Sequence, residues 1–291
     1  MGTISEVFEA IGTHWQIDVQ TDLSEVEWKS VLSSVHARIE VYDKTYSRFR
    51  SDSLVTKIAN DGGSYVLPPD AEKLLSVYRS LYSLTDGKFT PLIGNILSDS
   101  GYDATYSFSQ KTLRTPSRWE DVIQYSYPKL TISQGEILDF GAGGKGYLLD
   151  IVGEVLSNSG INEFTLDAGG DILTKSNSNT SLRVGLEHPH NPEMAIGIAT
   201  ICNQSIAGSS GNRRSWGKFH HIFDPDLQNS TKDVLATWVI ADTGLCADAL
   251  ATCLFFVHPE KLQSFGPFEY LILFPDLSIQ RSAAFKAELF G

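Results

Sequence analysis

The sequence predicts an α+β fold, in which antiparallel or mixed sheets are layered against flanking helices. Helical patterns cluster in the first third and return in two later stretches, while short strand-like runs fill the remainder. No steady strand–helix–strand rhythm is present, so a doubly wound parallel sheet fits less well. The 291 residues suffice for one large domain with a substantial core, taken as spanning 1–291 with a polar and aromatic surface insertion at 98–120.

Each element has its own signal. Residues 7–20 alternate as a strand, and Gly12-Thr13 interrupts them as a bulge or as a place where backbone meets ligand. Within residues 22–57, Leu32, Val35, Ile39 and Tyr42 fall three or four apart on one helical face, until the polar run 43–50 breaks the pattern. Ser53 can cap a short helix over 54–60, which Asp61-Gly62-Gly63 stops. Pro68-Pro69-Asp70 opens the next helix, with Leu74, Leu75, Tyr78, Leu81 and Tyr82 as its buried stripe. Asp86 to Pro91 is a turn. Residues 122–125 and 129–132 read as a hairpin, and 137–140 as a short strand feeding a glycine stretch. A helix follows over 146–158 with Leu148, Leu149, Val152 and Leu156 inward. Strands are then expected at 164–166, 182–186, 196–202, 237–241, 269–274 and 284–289. Residues 188–192 form a His-Pro-rich loop, 204–211 are small and polar, 218–223 are extended, and 244–256 form an alanine-rich helix.

Composition narrows the partners. With 42% hydrophobic and 20% charged residues the chain is an ordinary folded one, and its net charge of -12 argues against nucleic acid or anionic lipid bound through bulk charge. Cys202, Cys246 and Cys253 lack the short spacings of a zinc site or a disulfide framework. No stretch reaches 18 apolar residues and no basic leader opens the chain, so the expectation is a cytoplasmic protein with no membrane anchor.

Chemistry centres on residues 138–150, L-D-F-G-A-G-G-K-G-Y-L-L-D, where four glycines fall in six positions beside Lys145. Such a loop entering a helix can present amide N–H groups to an anion, and Lys145 can add a point charge. A tight turn packed in a core explains the same glycines. Gly141, Gly143 and Gly146 satisfy G-x-G-x-x-G, yet Asp139 sits where a dinucleotide fold would have an apolar strand end. Four further polar clusters stand at strand or helix ends: 167–171; Ser209-Ser210-Gly211 followed by Arg213-Arg214; His220 to Pro225; and Asp248 with Thr252. Asp248 and Thr252 lie one helical turn apart among small and apolar residues. They offer hard oxygen ligands suited to Mg²⁺, although a capping or solvated aspartate is the plainer alternative. His220 and His221 point to opposite sides of an extended segment, so one can serve as a general base while the other packs.

In this order the clusters resemble the ApbE family of FAD:protein FMN transferases. The resemblance covers residues 10–273. It rests on Ile11-Gly12-Thr13-His14-Trp15; on Ser47-Arg48-Phe49 with Ser53 and Asn60; on Asp86-Gly87-Lys88-Phe89-Thr90-Pro91; and on Asp139 to Gly146. It continues through Ala168-Gly169-Gly170-Asp171, Ser210-Gly211, His220-His221-Ile222-Phe223-Asp224-Pro225 and Ala247 to Thr252. Met1-Gly2-Thr3 imitates the opening motif but is expected to lie outside the first strand. The resemblance implies an ApbE-like layered fold and a Mg²⁺-dependent step that splits FAD, passes FMN to a threonine or serine hydroxyl of an acceptor protein or domain, and releases AMP. An FAD pyrophosphatase or a non-catalytic FAD-binding protein would keep much of the same site.

By the same resemblance Asp248, Thr252 and the Gly144 carbonyl hold the metal, and His221, Asp248 and Lys145 carry the chemistry. The expected FAD contacts are Ile11, Thr13, Tyr46, Phe49, Asp86, Asp139, Gly143, Lys145, Ala168, Gly169, Gly170, Asp171, Ser210, His220, His221 and Ile222. Three departures stand out. Ile11 replaces a frequent methionine, residues 226–229 replace the usual Thr-Gly continuation, and no lipid-anchor cysteine is present, which points to a cytoplasmic acceptor.

Overall fold

Residues 2–290 of the chain are described by a computed structural model. Its centre is an eight-stranded sheet, antiparallel at every pairing. The strands run in the spatial order Gly2–Ala10, Thr13–Thr21, Phe164–Ala168, Asp171–Lys175, Ser205–Ser210, Ala236–Ala241, Glu269–Leu273 and Ile279–Arg281. Alternation along these strands sorts their side chains into two cores. Ala207, Val239, Ala241 and Ile272 join Trp15, Ile17, Val19 and Leu166 against the helices. Ile206, Trp238, Ile240, Leu271 and Leu273 point the other way, against a three-stranded sheet of Leu182–His188, Asn191–Ile201 and Ala287–Leu289. The result is a stack of helices, large sheet and small sheet, as the sequence predicted.

Several expectations change in detail. Residues 7–20 are two strands of a hairpin, because Ile11 and Gly12 take positive φ values of 47° and 74° and close a two-residue turn between the paired Ala10 and Thr13. Gly2 and Thr3 belong to the first strand, so they do not precede it; Met1 lies outside the described residues. The helix Glu25–Tyr46 runs through the polar residues 43–46 and is opened by a Ser24–Glu27 capping box. Among the described residues, 137–140 pair with no strand: Asp139 N–H donates to the Pro91 carbonyl at 2.8 Å, without a ladder. Conversely, 171–175 and 205–210 are central strands whose small and polar composition hid them. Ser205 and Thr174 are buried there among hydrogen bonds.

Two helices cross tightly above the large sheet, Gly144–Asn158 and Gly244–Cys253. A Cβ on Gly146 would stand 2.0 Å from the Gly244 carbonyl oxygen, and one on Gly244 would stand 2.2 Å from the Gly146 carbonyl oxygen. Buried Asp150 locks the crossing. Its Oδ1 accepts the Gly244 N–H at 2.6 Å and its Oδ2 the Leu245 N–H at 3.1 Å, satisfying amides that an isolated helix start leaves bare.

The close approach yields a stability prediction. Gly146→Ala should lower the unfolding free energy by about 3 kcal/mol, the upper part of the usual range for overpacking. Gly185→Ala, whose Cβ would meet only Ala195 at 3.9 Å, should be close to neutral. Urea unfolding of both variants beside the native protein checks this.

Candidate active site

A cavity of about 940 Å³ opens beside the helix crossing. The hairpin turn at Ile11, the end of the first long helix at Tyr42 and Tyr46, the segment 47–50, and the loop 139–145 form one side. Residues 208–216 and 221–223, with Asp248 and Thr252, form the other. The cavity thus gathers segments that are far apart in sequence, because the large sheet pairs strand 13–21 with strand 164–168 across a long helical excursion.

Most residues singled out from the sequence meet here. Ile11, Thr13, Tyr46, Phe49, Asp139, Gly144, Lys145, Gly169, Ser210, His221, Ile222, Asp248 and Thr252 line the cavity. Others do not. Asp86 sits in an exposed turn with φ 53° and pairs with Lys261 at 2.7 Å; its turn sets Lys88 and Phe89 into the wall. Gly143 is buried against Leu245 and Ala249, and Ala168 is a core strand residue. Gly170 faces a separate cavity of about 300 Å³ on the small-sheet side. Asp171 lies buried beneath Lys145, with which it forms an ion pair, while its Oδ1 accepts the Gly208 N–H at 3.3 Å.

The two histidines separate clearly. His220 has both ring nitrogens engaged: Nε2–H donates to the Thr231 carbonyl at 2.8 Å and Nδ1 accepts the Ile222 N–H at 3.3 Å. It clamps the loop. His221 lines the cavity, its backbone N–H donating to the Arg214 carbonyl at 3.1 Å. Its Nδ1 lies 3.4 Å from the same carbonyl, which places the ring proton on Nδ1 and leaves Nε2 as an acceptor. Burial, aided by the Arg214 charge, pushes the His221 pKa down to about 3, so the ring is neutral near pH 7.

The carboxylates are held in different states. Asp139 is buried, which favours its neutral form, yet the Arg48 guanidinium at 2.5 Å and the Gly141 N–H at 2.7 Å outweigh this and keep its pKa below the ordinary value. Asp248 goes the other way. Burial, with the nearby charge of Asp171, pushes its pKa up to about 7, although Lys145 and the Gly146 N–H at 2.9 Å oppose the rise.

One helical turn beyond Asp248, oxygens gather around Thr252. Thr252 Oγ1 lies 3.4 Å from the Ala142 carbonyl and 3.3 Å from Ser209 Oγ. The Gly144 carbonyl, the backbone ligand implied by the family resemblance, accepts the Tyr42 hydroxyl at 2.9 Å. Among the described residues no hydrogen bond reaches Asp248 Oδ1.

The glycine loop itself is largely occupied. Gly141 N–H is taken by Asp139, Gly143 and Gly144 N–H by the Phe140 carbonyl, and Gly146 N–H by Asp248. The glycines serve close packing more than anion binding, the plainer of the two sequence readings. Sequence reasoning passed over Arg48 and Arg214, although each stood inside a quoted motif or cluster. It also passed over the aromatic wall of Tyr102, Tyr106 and Trp216, of which Tyr102 and Tyr106 were signalled by the aromatic content of residues 98–120.

A model of the ApbE family matches residues 11–267 of this chain. Three relatives named FAD:protein FMN transferase are similar along most of it. The protein from Rhodobacter capsulatus is 24% identical over 267 residues, covering 86% of this chain, which spans about half (51%) of that relative's length. The one from Buchnera aphidicola is 22% identical, covering 87% of this chain and 79% of its own, and the one from Treponema pallidum is 23% identical, covering 94% and 85%. The fold matches the crystal structure of the ApbE protein from Thermotoga maritima at a TM-score of 0.81 and 21% identity, covering 97% of each chain. It matches the flavin transferase ApbE from Vibrio cholerae at 0.78 and 17% identity, covering 98% of each.

Two expected outcomes follow from these electrostatics. Lys145→Ala leaves Asp171 buried without its cation and should cost about 3 kcal/mol of stability, with Asp171→Asn in the same chain restoring most of it. A double-mutant cycle by urea unfolding measures both. The second concerns pH. The folded His221 binds its proton only near pH 3, whereas the unfolded ring binds it near 6.5, so acidification through that window favours unfolding. His221→Gln should therefore lose stability less steeply than the native chain between pH 6.5 and 4, as read from unfolding midpoints.

Proposed function

The chain belongs to the ApbE family, and on that premise we propose that it transfers the FMN half of FAD to a threonine or serine hydroxyl of an acceptor protein, releasing AMP in a Mg²⁺-dependent step. The observation that carries this reading is buried Asp248, with half-buried Thr252 one helical turn on, in the same cavity as Lys145 and His221. A carboxylate buried beside a second carboxylate is costly alone and is relieved by a cation.

The donor set fits Mg²⁺. Asp248 and Thr252 supply side-chain oxygens, and the carbonyl within reach of Thr252 is that of Ala142, so Ala142 replaces Gly144 as the proposed backbone ligand. When bound, the ion would neutralise charge on phosphoryl oxygens. The chain's own residues do the rest. The acceptor oxygen forms a bond to the FMN phosphorus, the anhydride P–O bond breaks, and its electron pair leaves with AMP. Neutral His221, with Nε2 open as an acceptor, receives the hydroxyl proton as the new bond forms. Tyr46 and Phe49 supply aromatic surface for the isoalloxazine ring. The acceptor is proposed to be cytoplasmic, and the chain to act as a single domain.

The test incubates the purified protein with FAD and Mg²⁺, with and without a small flavinylation-acceptor domain, and reads intact mass and released nucleotide. One FMN added to the acceptor, with AMP released and both lost on chelation, is the expected result. FMN and AMP without adduct would convert the reading to a pyrophosphatase, and intact FAD throughout would reduce it to binding. In the same assay Asp248→Ala should lower turnover by at least about 10³-fold while leaving much of the FAD affinity. Unchanged turnover would remove Asp248 from the metal site.

A further inference from the structure

We infer that Arg214 is the phosphate-binding side chain of the cavity, gripping the diphosphate of the dinucleotide and the charge that builds on the departing AMP. The identity of the substrate rests on the transferase reading above; the anion site does not.

In a chain of net charge -12, a diphosphate needs local positive charge that is not already neutralised. Six cationic side chains line the cavity. Arg48 is committed to Asp139 at 2.5 Å and Lys88 to Asp224 at 2.7 Å. Lys145 is committed to Asp171 and Arg213 to Glu187. Arg50 is shared among Glu40, Asp43 and Asp52. The Arg214 guanidinium alone has no ion pair and no hydrogen bond among the described residues.

The glycine-loop amides at 141, 143, 144 and 146 are spent within the protein and add nothing to this positive charge. Placement supports the assignment. The Arg214 carbonyl receives the His221 backbone N–H, so the free guanidinium and the imidazole proposed as proton acceptor spring from one backbone junction. Its charge is felt at both His221 and Asp139, whose protonation it opposes. Chemically, a guanidinium presents paired N–H donors that match two phosphate oxygens, which a lysine cannot do. As the anhydride bond breaks and its electron pair passes to the AMP oxygen, those donors hold the added charge without reorganising.

The test compares native protein, Arg214→Gln and Arg214→Lys for binding of FAD and of riboflavin, which carries no phosphate, and for AMP release with Mg²⁺ and acceptor. Arg214→Gln should weaken FAD by about tenfold or more and leave riboflavin within about twofold, collapsing the preference between them. AMP release should fall by about 10²-fold at saturating FAD, with Arg214→Lys recovering part of both losses. An undiminished preference for FAD over riboflavin in Arg214→Gln would overturn the inference, and so would equal losses for the two ligands, which would mark a structural role. Should the native protein release no AMP while the preference still collapses in Arg214→Gln, the anion site stands and the transferase reading falls.

Discussion

The contact between Gly146 and Gly244 governs the rest of the structure. Two helix backbones meet at a distance that admits no side chain, and each glycine protects the other's carbonyl. That approach brings Asp248, one turn into the second helix, within 2.9 Å of the Gly146 N–H at the start of the first. It also brings Thr252 to the Ala142 carbonyl. Move the helices apart by one methyl group and the oxygen cluster disperses. The free energy spent on the crossing is offset by Asp150, which satisfies two amides at the start of the second helix, and by the leucine and alanine packing beneath it.

Around that contact the charges are paired in a fixed order. Arg48 holds Asp139, Lys145 holds Asp171, and Lys88 holds Asp224. Buried pairs of this kind add little net stability, but removing one partner leaves the other exposed to the full cost of burial. Their effect is to fix the shape of the cavity and to leave two sites electrostatically unbalanced. One is negative, where Asp248 shares its surroundings with Asp171 and has no ion pair of its own among the described residues. The other is positive, at Arg214. A metal ion and an anionic ligand are what would balance the pair, and they would do so together.

This division explains how far the sequence could be read. The motif segments are legible in sequence because each has a self-contained local geometry: the turn at Ile11-Gly12, the Asp139–Gly141 loop, the Asp248–Thr252 helical turn. Strands 171–175 and 205–210 were hidden because a buried central strand can use Ser205 and Thr174 when their hydroxyls find carbonyl partners, and hydrophobic alternation then disappears. Asp86 lies outside the cavity lining, and a motif position that shapes a turn looks, in sequence, like one that touches a ligand. Arg214 was legible as a residue but not as a free charge, since that property depends on where every other cation found its partner. Lys145 was the more conspicuous cation, and it proves to be committed to Asp171.

The cavity therefore has two unlike regions. At one, Phe49 and Tyr106 stack at 5.2 Å with an interplanar angle of 3°, and Tyr102 stacks on Trp216 at 5.0 Å. Tyr102 and Tyr106 come to this wall from the irregular residues 100–118, held by the Trp216 Nε1–H bond to the Ser100 carbonyl at 2.8 Å and by Arg114 on Asp99. Tyr106 and Phe108 carry positive φ values of 51° and 50°, a conformation that costs a non-glycine residue free energy. The surrounding contacts must compensate for it, and what they preserve is a cluster of stacked and edge-on aromatic rings at the cavity wall. At the other region lie Asp248, Thr252, His221 and Arg214. A ligand that is planar at one end and anionic in its middle satisfies both regions at once, whereas a simple phosphate leaves the aromatic surface wet and a plain ring leaves Arg214 without a partner. Specificity on this view comes from joining two weak demands in one rigid cavity, which is why the charged residues are tied down in pairs before any ligand arrives.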